Sequence, residues 1–317
     1  MPRTALHAAL GATLLLAAPI AAQVGTAPPN SYALTNARIV TAPGRTIERG
    51  TVVIRNGRIT AVGAQVTVPA DVQSMDLAGM TVYPGLIDPA SALGMPRTSA
   101  SAARGRGAAP PGPPTQAATA RLASNRTEIP EIQPTRLASE TVQLQEADVQ
   151  ALRALGFTTV GLAFEPAIIG GQTAVLSLRT TNLDSALLRS PAAVQIGLET
   201  RRGGYPTTLM GTLAYLEQAF LDAAHQQRVV EAFERDPARG PRPVHDADRS
   251  ALLPAVQRKI PVFITASREN DLRRAAALAR RLNVDYVLLG AQEAYRATDL
   301  LTKENKPVIV SLNYPRP

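Results

Sequence analysis

The sequence predicts an α/β protein in which a small N-terminal β region leads into repeated β/α units that build a parallel sheet. Three observations carry this. Short β-rich runs separated by turn residues fill 31–79. From 136 onward, helical and strand patterns alternate. Between them lies a stretch rich in Pro, Ala, Gly and Arg with almost no large apolar side chain. At 317 residues and 45% hydrophobic, the chain can bury one sizeable core and a small satellite domain.

The N-terminus reads as a secretory signal peptide over residues 1–22. Arg3 precedes an apolar run from Ala8 to Ile20, followed by Ala21, Ala22 and polar Gln23. Cleavage is expected after Ala22, which makes the mature protein exported, periplasmic or extracellular. The run is shorter than the ~20 apolar residues that cross a bilayer and no stop-transfer cluster follows, so no membrane span is expected after cleavage.

Residues 23–80 form the β region. Ala37–Thr41, Thr51–Ile54 and Ile59–Val62 read as strands, and Asn56-Gly57 between the last two is a strong hairpin signal. A small antiparallel sheet is expected, with too few strands and too many open edges to stand alone. Residues 81–95 contain TVYPGLID, Thr81–Asp88, an apolar run of the kind that becomes a buried strand. Residues 96–135 cannot offset their ordering entropy by burial and read as a flexible insertion. Four of its arginines, Arg97, Arg104, Arg106 and Arg121, are read as part of a solvated linker, with contact to an anionic surface as the alternative.

Residues 136–317 carry the β/α units. Glu140–Leu155 has helical periodicity and stops at Gly156, and Thr158–Phe164 is a strand. Gly170-Gly171 precedes a β run at Thr173–Leu178, with which Ala192–Leu198 is expected to pair. Leu209–Phe233 is a long amphipathic helix ended by Asp236-Pro237. Three helix-strand units follow: Ser250–Lys259 with Pro261–Thr265, Asn270–Leu282 with Asp285–Leu289, and Glu293–Asn305 with Pro307–Leu312. Without the insertion, the stretch is shorter than the ~250 residues of a complete eight-unit barrel. The expectation is an incomplete barrel or a fragment of a longer protein, and an ending straight after an apolar strand favours the fragment.

Several function classes lose support. The formal charge of +8 comes from scattered arginines, with only Lys259, Lys303 and Lys306 as lysines, and there is no tryptophan. No nucleic-acid partner is expected. No cysteine is present, which excludes thiolate metal sites. Gly170-Gly171 lacks the Lys-Ser/Thr of a phosphate loop, and no Gly-x-Ser-x-Gly elbow occurs. The three histidines are His7, His225 and His245. His245-Asp246-x-Asp248 reads as a loop and helix cap, with a peripheral metal site as the alternative.

The run NARIVTAPGRTIERGTVVIRNGRITAVGAQVTVPADVQSMDLAGMTVYPGLID, Asn36–Asp88, closely resembles the entry segment of the amidohydrolase superfamily, in particular its imidazolonepropionase-like branch. Weaker matches follow in order: ALRALGFTTV, GGQTAVLSL, YPTTLMGTLAYLEQAFLDA, PVFITASRENDLRRAAALA and VLLGAQEAY. The resemblance implies an incomplete (β/α)8 TIM-like barrel preceded by a small N-terminal β-sandwich half, with PGLID as the first barrel strand. It implies hydrolysis of non-peptide carbon-nitrogen bonds with zinc or another divalent metal.

In that family, PGLID is followed after one residue by His-x-His. Here those positions are Ala90 and Ala92, and Thr265 or Ser267 and Gly290 stand where further ligands would be. A methyl group has no lone pair and a hydroxyl is a weak ligand, so no metal or other cofactor is expected. The family's last aspartate would lie beyond Pro317. Asp88 is expected at the barrel mouth in a mainly structural role. Arg268, Glu269, Glu293 and Tyr295 lie where barrel catalytic groups sit, and either contact substrate or cap strand-to-helix turns.

Two readings result. One is a carbon-nitrogen hydrolase with an altered or metal-independent site. The other, favoured on the chemistry, is a noncatalytic envelope module that binds a small-molecule or peptide-like ligand. A homo-oligomer in which a paired chain completes the half sandwich is compatible with either.

Overall fold

The computed structural model describes residues 31–96, 131–201 and 205–311. The expected signal peptide and the insertion's Arg97, Arg104, Arg106 and Arg121 lie outside the described residues. The chain divides into two units, Met1–Pro84 and Gly85–Pro317.

The first unit holds β1 (Ser31–Ala42), β2 (Arg45–Arg55), β3 (Arg58–Gly63), β4 (Gln73–Asp76) and β5 (Thr81–Val82). β2 and β3 form the expected hairpin, with Arg55 opposite Arg58. Asn56 and Gly57 both take positive φ, 49° and 72°, as a type I′ turn requires. The sheet is not purely antiparallel, because β4 and β5 both join β1 in parallel. At 12 residues β1 is long enough to serve both, pairing Tyr32–Thr35 with β4 and Arg38–Ile39 with β5. Two small apolar clusters back it, one around Ala33, Val53 and Val72, the other around Ala37, Ile39 and Val52.

The expected first barrel strand divides. Thr81–Val82 belongs to the N-terminal sheet, and the chain resumes as β6 (Leu86–Ser91) only after Tyr83-Pro84-Gly85. Proline donates no ladder hydrogen bond and restricts the residue before it, which explains the break. β6 is also not the buried strand expected. Among the described residues it is the edge of its sheet, paired with β7 (Phe157–Leu162) alone, and Leu86 and Ile87 are exposed.

That sheet runs β10-β9-β7-β6, with β9 at Ala174–Ser177 and β10 at Leu187–Arg189. The helix expected over Glu140–Leu155 is two, α1 (Ala138–Thr141) and α2 (Glu146–Ala154). Between them Val142 is extended (ψ 138°), and the Gln143 N–H leaves the helix to donate to the Gly94 carbonyl at 2.8 Å. A small core gathers Val149, Val160, Leu162, Phe164 and Leu176. Helix α3 (Leu183–Ala186) precedes β10 and is capped by Asn182, whose side chain accepts from the Ser185 N–H.

The larger sheet runs β14-β13-β12-β11-β8. Its strands are β8 (Ile169–Gln172), β11 (Val194–Gly197), β12 (Val262–Ala266), β13 (Tyr286–Gly290) and β14 (Val308–Val310). β11 to β14 are parallel, as expected, and β8 is antiparallel to β11. Gly170-Gly171 therefore lies inside a strand instead of before one, and β11 takes β8 as its partner. Gly171 has φ +127°, and an added Cβ would stand 2.5 Å from the Arg136 carbonyl. The glycine lets a neighbouring backbone run close by.

That neighbour is the end of the expected flexible insertion. Residues 131–136 are ordered: Ile132 bridges Ile169 and packs against the large core, and the Gln172 N–H donates to the Arg136 carbonyl. The flexible insertion expected over 96–135 thus extends too far at its end, because Ile132 packs against the large core.

Helices α4 (Leu209–Arg235), α5 (Ala247–Val256), α6 (Glu269–Leu282) and α7 (Thr298–Glu304) connect the parallel strands. α4 starts at Thr208, whose hydroxyl accepts from the Gly211 N–H, and buries a stripe of Thr212, Leu216, Phe220 and Ala223. The span expected as one helix over Glu293–Asn305 begins as a 3-10 turn at Ala294–Arg296. α6 carries Glu269 and Asp271 in its first turn and Arg280 and Arg281 in its last, in keeping with its dipole, and ends on left-handed Asn283. Its Leu272, Ala275, Ala276, Leu278 and Ala279 pack on Val194, Ile196, Val262, Ile264, Tyr286 and Leu288 in one core. A leucine fully buried there contributes about 1.5–3 kcal/mol. Among the described residues, no helix is long and apolar enough to cross a membrane.

Candidate functional site

The mouth formed by the C-terminal ends of the parallel strands is where β/α folds of this kind place chemistry. Alternation decides what each strand presents there. On β12, Val262, Ile264 and Ala266 are buried against the helices, so Phe263 and Thr265 face the other side. On β11, Val194 and Ile196 face the helices, which sends Gln195 to the inner face. On β13 the inner residues are Val287 and Leu289.

Gln195 is the polar centre of this face, at 1% exposure. Its Oε1 accepts from the Phe164 N–H at 2.8 Å, its Nε2 donates to the Phe164 carbonyl at 2.9 Å, and Nε2 also lies 3.5 Å from Thr265 Oγ1. Phe164, two residues beyond β7, lies under the Arg136 guanidinium at 4.6 Å. Sequence reasoning missed Gln195; the available signal was a lone polar residue at an inward position of the apolar run Ala192–Leu198.

The expected site residues take these places. Asp88, on β6, accepts from the Ala90 N–H at 3.1 Å and so closes a turn of its own strand. Ala90 ends that strand beside Ser91, and Ala92 follows it. Arg268 is the exposed residue before α6. Glu269 and Glu293 are brought together: Glu293 Oε2 accepts from the Glu269 N–H at 3.0 Å, and the Glu293 N–H donates to the Ser267 carbonyl at 2.9 Å. Glu293 thereby satisfies one of the first N–H groups of α6. The Glu269 carboxylate turns to Arg273 at 3.1 Å, and Arg273 also forks onto Asp299 at 2.9 and 3.0 Å. That guanidinium holds the Asp299 carboxyl below its ordinary range. Tyr295 is exposed, with Arg296 over its ring at 5.4 Å.

After β11, Arg201 faces Glu131 at 3.3 Å in an ion pair without hydrogen-bond geometry, and its Nη1 donates to the Tyr205 carbonyl at 3.0 Å. Asp246 caps α5 by accepting from the Arg249 N–H at 3.1 Å, as in the loop-and-cap reading. His245 instead lines a cleft of about 630 Å³ between α4, residues 242–245 and α5. Its walls combine Val230, Phe233 and Leu253 with Glu231, Glu234 and Arg242. A smaller pocket of about 180 Å³ lies between α4, the start of α5 and Ile132. Tyr215 lines it, its hydroxyl pushed up by burial and by Asp248.

The mouth does not fit a divalent metal. Ala90, Ala92 and Gly290 offer no lone pair, and Thr265 and Ser267 offer neutral hydroxyls. The carboxylates of Asp88, Glu269 and Glu293 are directed to backbone N–H groups or to Arg273. Among the described residues no three His, Cys, Asp or Glu side chains converge.

Comparison with known proteins agrees with the architecture. Residues 31–82 match the model of the NagA composite domain. The structure resembles the crystal structure of an amidohydrolase from Thermotoga maritima MSB8, with a TM-score of 0.71 at 22% identity over 88% of this chain and 70% of that one. A prolidase complexed with N-methylphosphonate-L-proline aligns with a TM-score of 0.44 at 16% identity, over 89% of this chain and 66% of that one. This chain spans about two thirds of the length of these structures. No curated protein matches it. The fold is mixed α/β, with a match to the NagA composite domain over residues 31–82 and a fold likeness to the Thermotoga maritima structure that is consistent with part of a TIM-like barrel.

Proposed function

We propose that this chain is an exported amidohydrolase-like module that binds a small-molecule or peptide-like ligand and does not catalyse metal-assisted hydrolysis. The observation that carries the reading is the donor set at the mouth. Methyl groups, hydroxyls and a hydrogen stand where the family resemblance calls for imidazoles. Metal-assisted hydrolysis needs several nitrogen or carboxylate ligands on one ion to bring its bound water towards a pKa near neutrality. Nothing at Ala90, Ala92 or Gly290 supplies one.

Binding is supported by the cleft that holds His245. Its volume falls in the ~300–1,000 Å³ range of small-molecule sites, and Val230, Phe233 and Leu253 line it beside Gln226, Gln227, Glu231, Glu234 and Arg242. Export rests on the run from Arg3 to Ala22.

The test is metal analysis of the purified protein, coupled to an assay of amide and cyclic-amide hydrolysis with and without chelator. The expected result is substoichiometric metal and no turnover. Stoichiometric zinc together with hydrolysis that chelation abolishes would overturn the reading and restore the hydrolase.

A further inference from the structure

The mouth has a polar device that neither the composite domain nor the fold likeness assigns. Gln195 satisfies both main-chain groups of Phe164 with one side chain, as a strand would, and does so at 1% exposure. Phe164 opens the segment that leads to β8, and that segment is tied to the sheet again where the Gly197 N–H donates to the Ile168 carbonyl at 3.2 Å. Between these two ties Ala167 runs against the end of β11, where a Cβ added to Gly197 would stand 2.6 Å from the Ala167 carbonyl oxygen.

We infer that Gln195 is the positioning residue of this mouth: its neutral amide fixes the 163–168 segment against β11 and β12, so that the mouth assembles without a divalent ion. The inference rests on the metal-poor reading above and adds to it the residue that does the holding. Its physical basis is the matched donor and acceptor. A buried amide with both ends paired is inexpensive, whereas a carboxylate in the same place would set its charge against the Phe164 carbonyl and lose the donor.

The substitutions Gln195→Ala and Gln195→Glu, made in the full chain, test this by thermal unfolding. Gln195→Ala leaves two buried main-chain groups unpaired and is expected to lower Tm by roughly 5 °C. Gln195→Glu keeps the shape and the acceptor, and only its protonated form can donate to Phe164. Burial and that donor raise the folded pKa of the introduced acid above its unfolded value, so its fit is best below the unfolded pKa and is lost as pH rises through the folded one. Its deficit against the wild type is therefore expected to be roughly 10 °C at pH 8 and less than half that at pH 5. Arg136 and Glu165, the charged groups beside Phe164, are present in both proteins, so the difference isolates position 195.

The wild-type Tm is expected to stay within about 1 °C on adding EDTA or zinc. If Gln195→Ala does not fold, the two-pH comparison of Gln195→Glu decides alone. A Gln195→Glu deficit that is absent, or equal at both pH values, overturns the positioning role. A chelator-dependent wild-type Tm overturns the ion-free assembly. Hydrolysis in the assay above would instead remove the noncatalytic reading while leaving the Gln195 result standing.

Discussion

The two faces of the larger sheet behave as different materials. Towards the helices, Val194, Ile196, Val262, Ile264, Tyr286 and Leu288 sit at 0–3% exposure in one core with α6. On the inner face, Phe263, Thr265 and Val287 are half-buried, and the centre is a glutamine. Apolar packing secures the first face and a few directed hydrogen bonds secure the second. The outer face tolerates change only at a large cost, while the inner face is where sequence changes could remove ligands without unfolding the scaffold.

The largest effect is therefore expected outside the mouth. Ile264→Ala removes a fully buried side chain between β12 and the helices and should cost about 2–5 kcal/mol in urea unfolding. Phe263→Ala, one residue away on the half-buried face, should cost less than Ile264→Ala despite removing more atoms. The reverse order would break the two-face description.

A backbone test sharpens the picture at the sheet's antiparallel end. Gly171→Ala forces a positive φ on an L-residue and pushes a methyl group towards the Arg136 carbonyl. A loss of about 1–3 kcal/mol is expected, measured by the same unfolding curves. If the loss is negligible, the 131–136 segment is not held there. In the first unit, Gly57→Ala meets no steric contact and suffers only from its φ of +72°. About 1 kcal/mol is expected.

These positions also show what the sequence disclosed. Asn56-Gly57, the α4 stripe and the three final β/α units were legible, because each is specified by residues adjacent in the chain. β8 was not, since two glycines in a row read as a turn unless one knows that Arg136 crosses beside them. The division of TVYPGLID between two sheets followed from Pro84, whose effect depends on which edge accepts the strand. At the site, the Glu293 cap on α6 joins residues 24 apart, and their contact depends on β12 and β13 ending side by side. Gln195 was hidden by its apolar neighbours, and its role depends on Phe164, which is 31 residues away.

The smallest expected effect concerns the ion pairs that tie α6 to α7. Arg273 reaches both Glu269 and Asp299, and all three side chains are about a third or more exposed. Exposed pairs contribute little, so Asp299→Asn should shift Tm by no more than about 2 °C. The sign of its pH dependence is nonetheless fixed. Arg273 lowers the folded pKa of Asp299 below its unfolded value. The stabilisation is thus fully present above the unfolded carboxylate pKa and is lost as pH falls through the depressed folded one. The difference in Tm between wild type and Asp299→Asn should hold steady from pH 8 to pH 5 and shrink below about pH 4. It should also weaken in 1 M salt. A difference that grew on acidification would mean that Asp299 is stabilised in its protonated form, contrary to the two guanidinium hydrogen bonds it accepts.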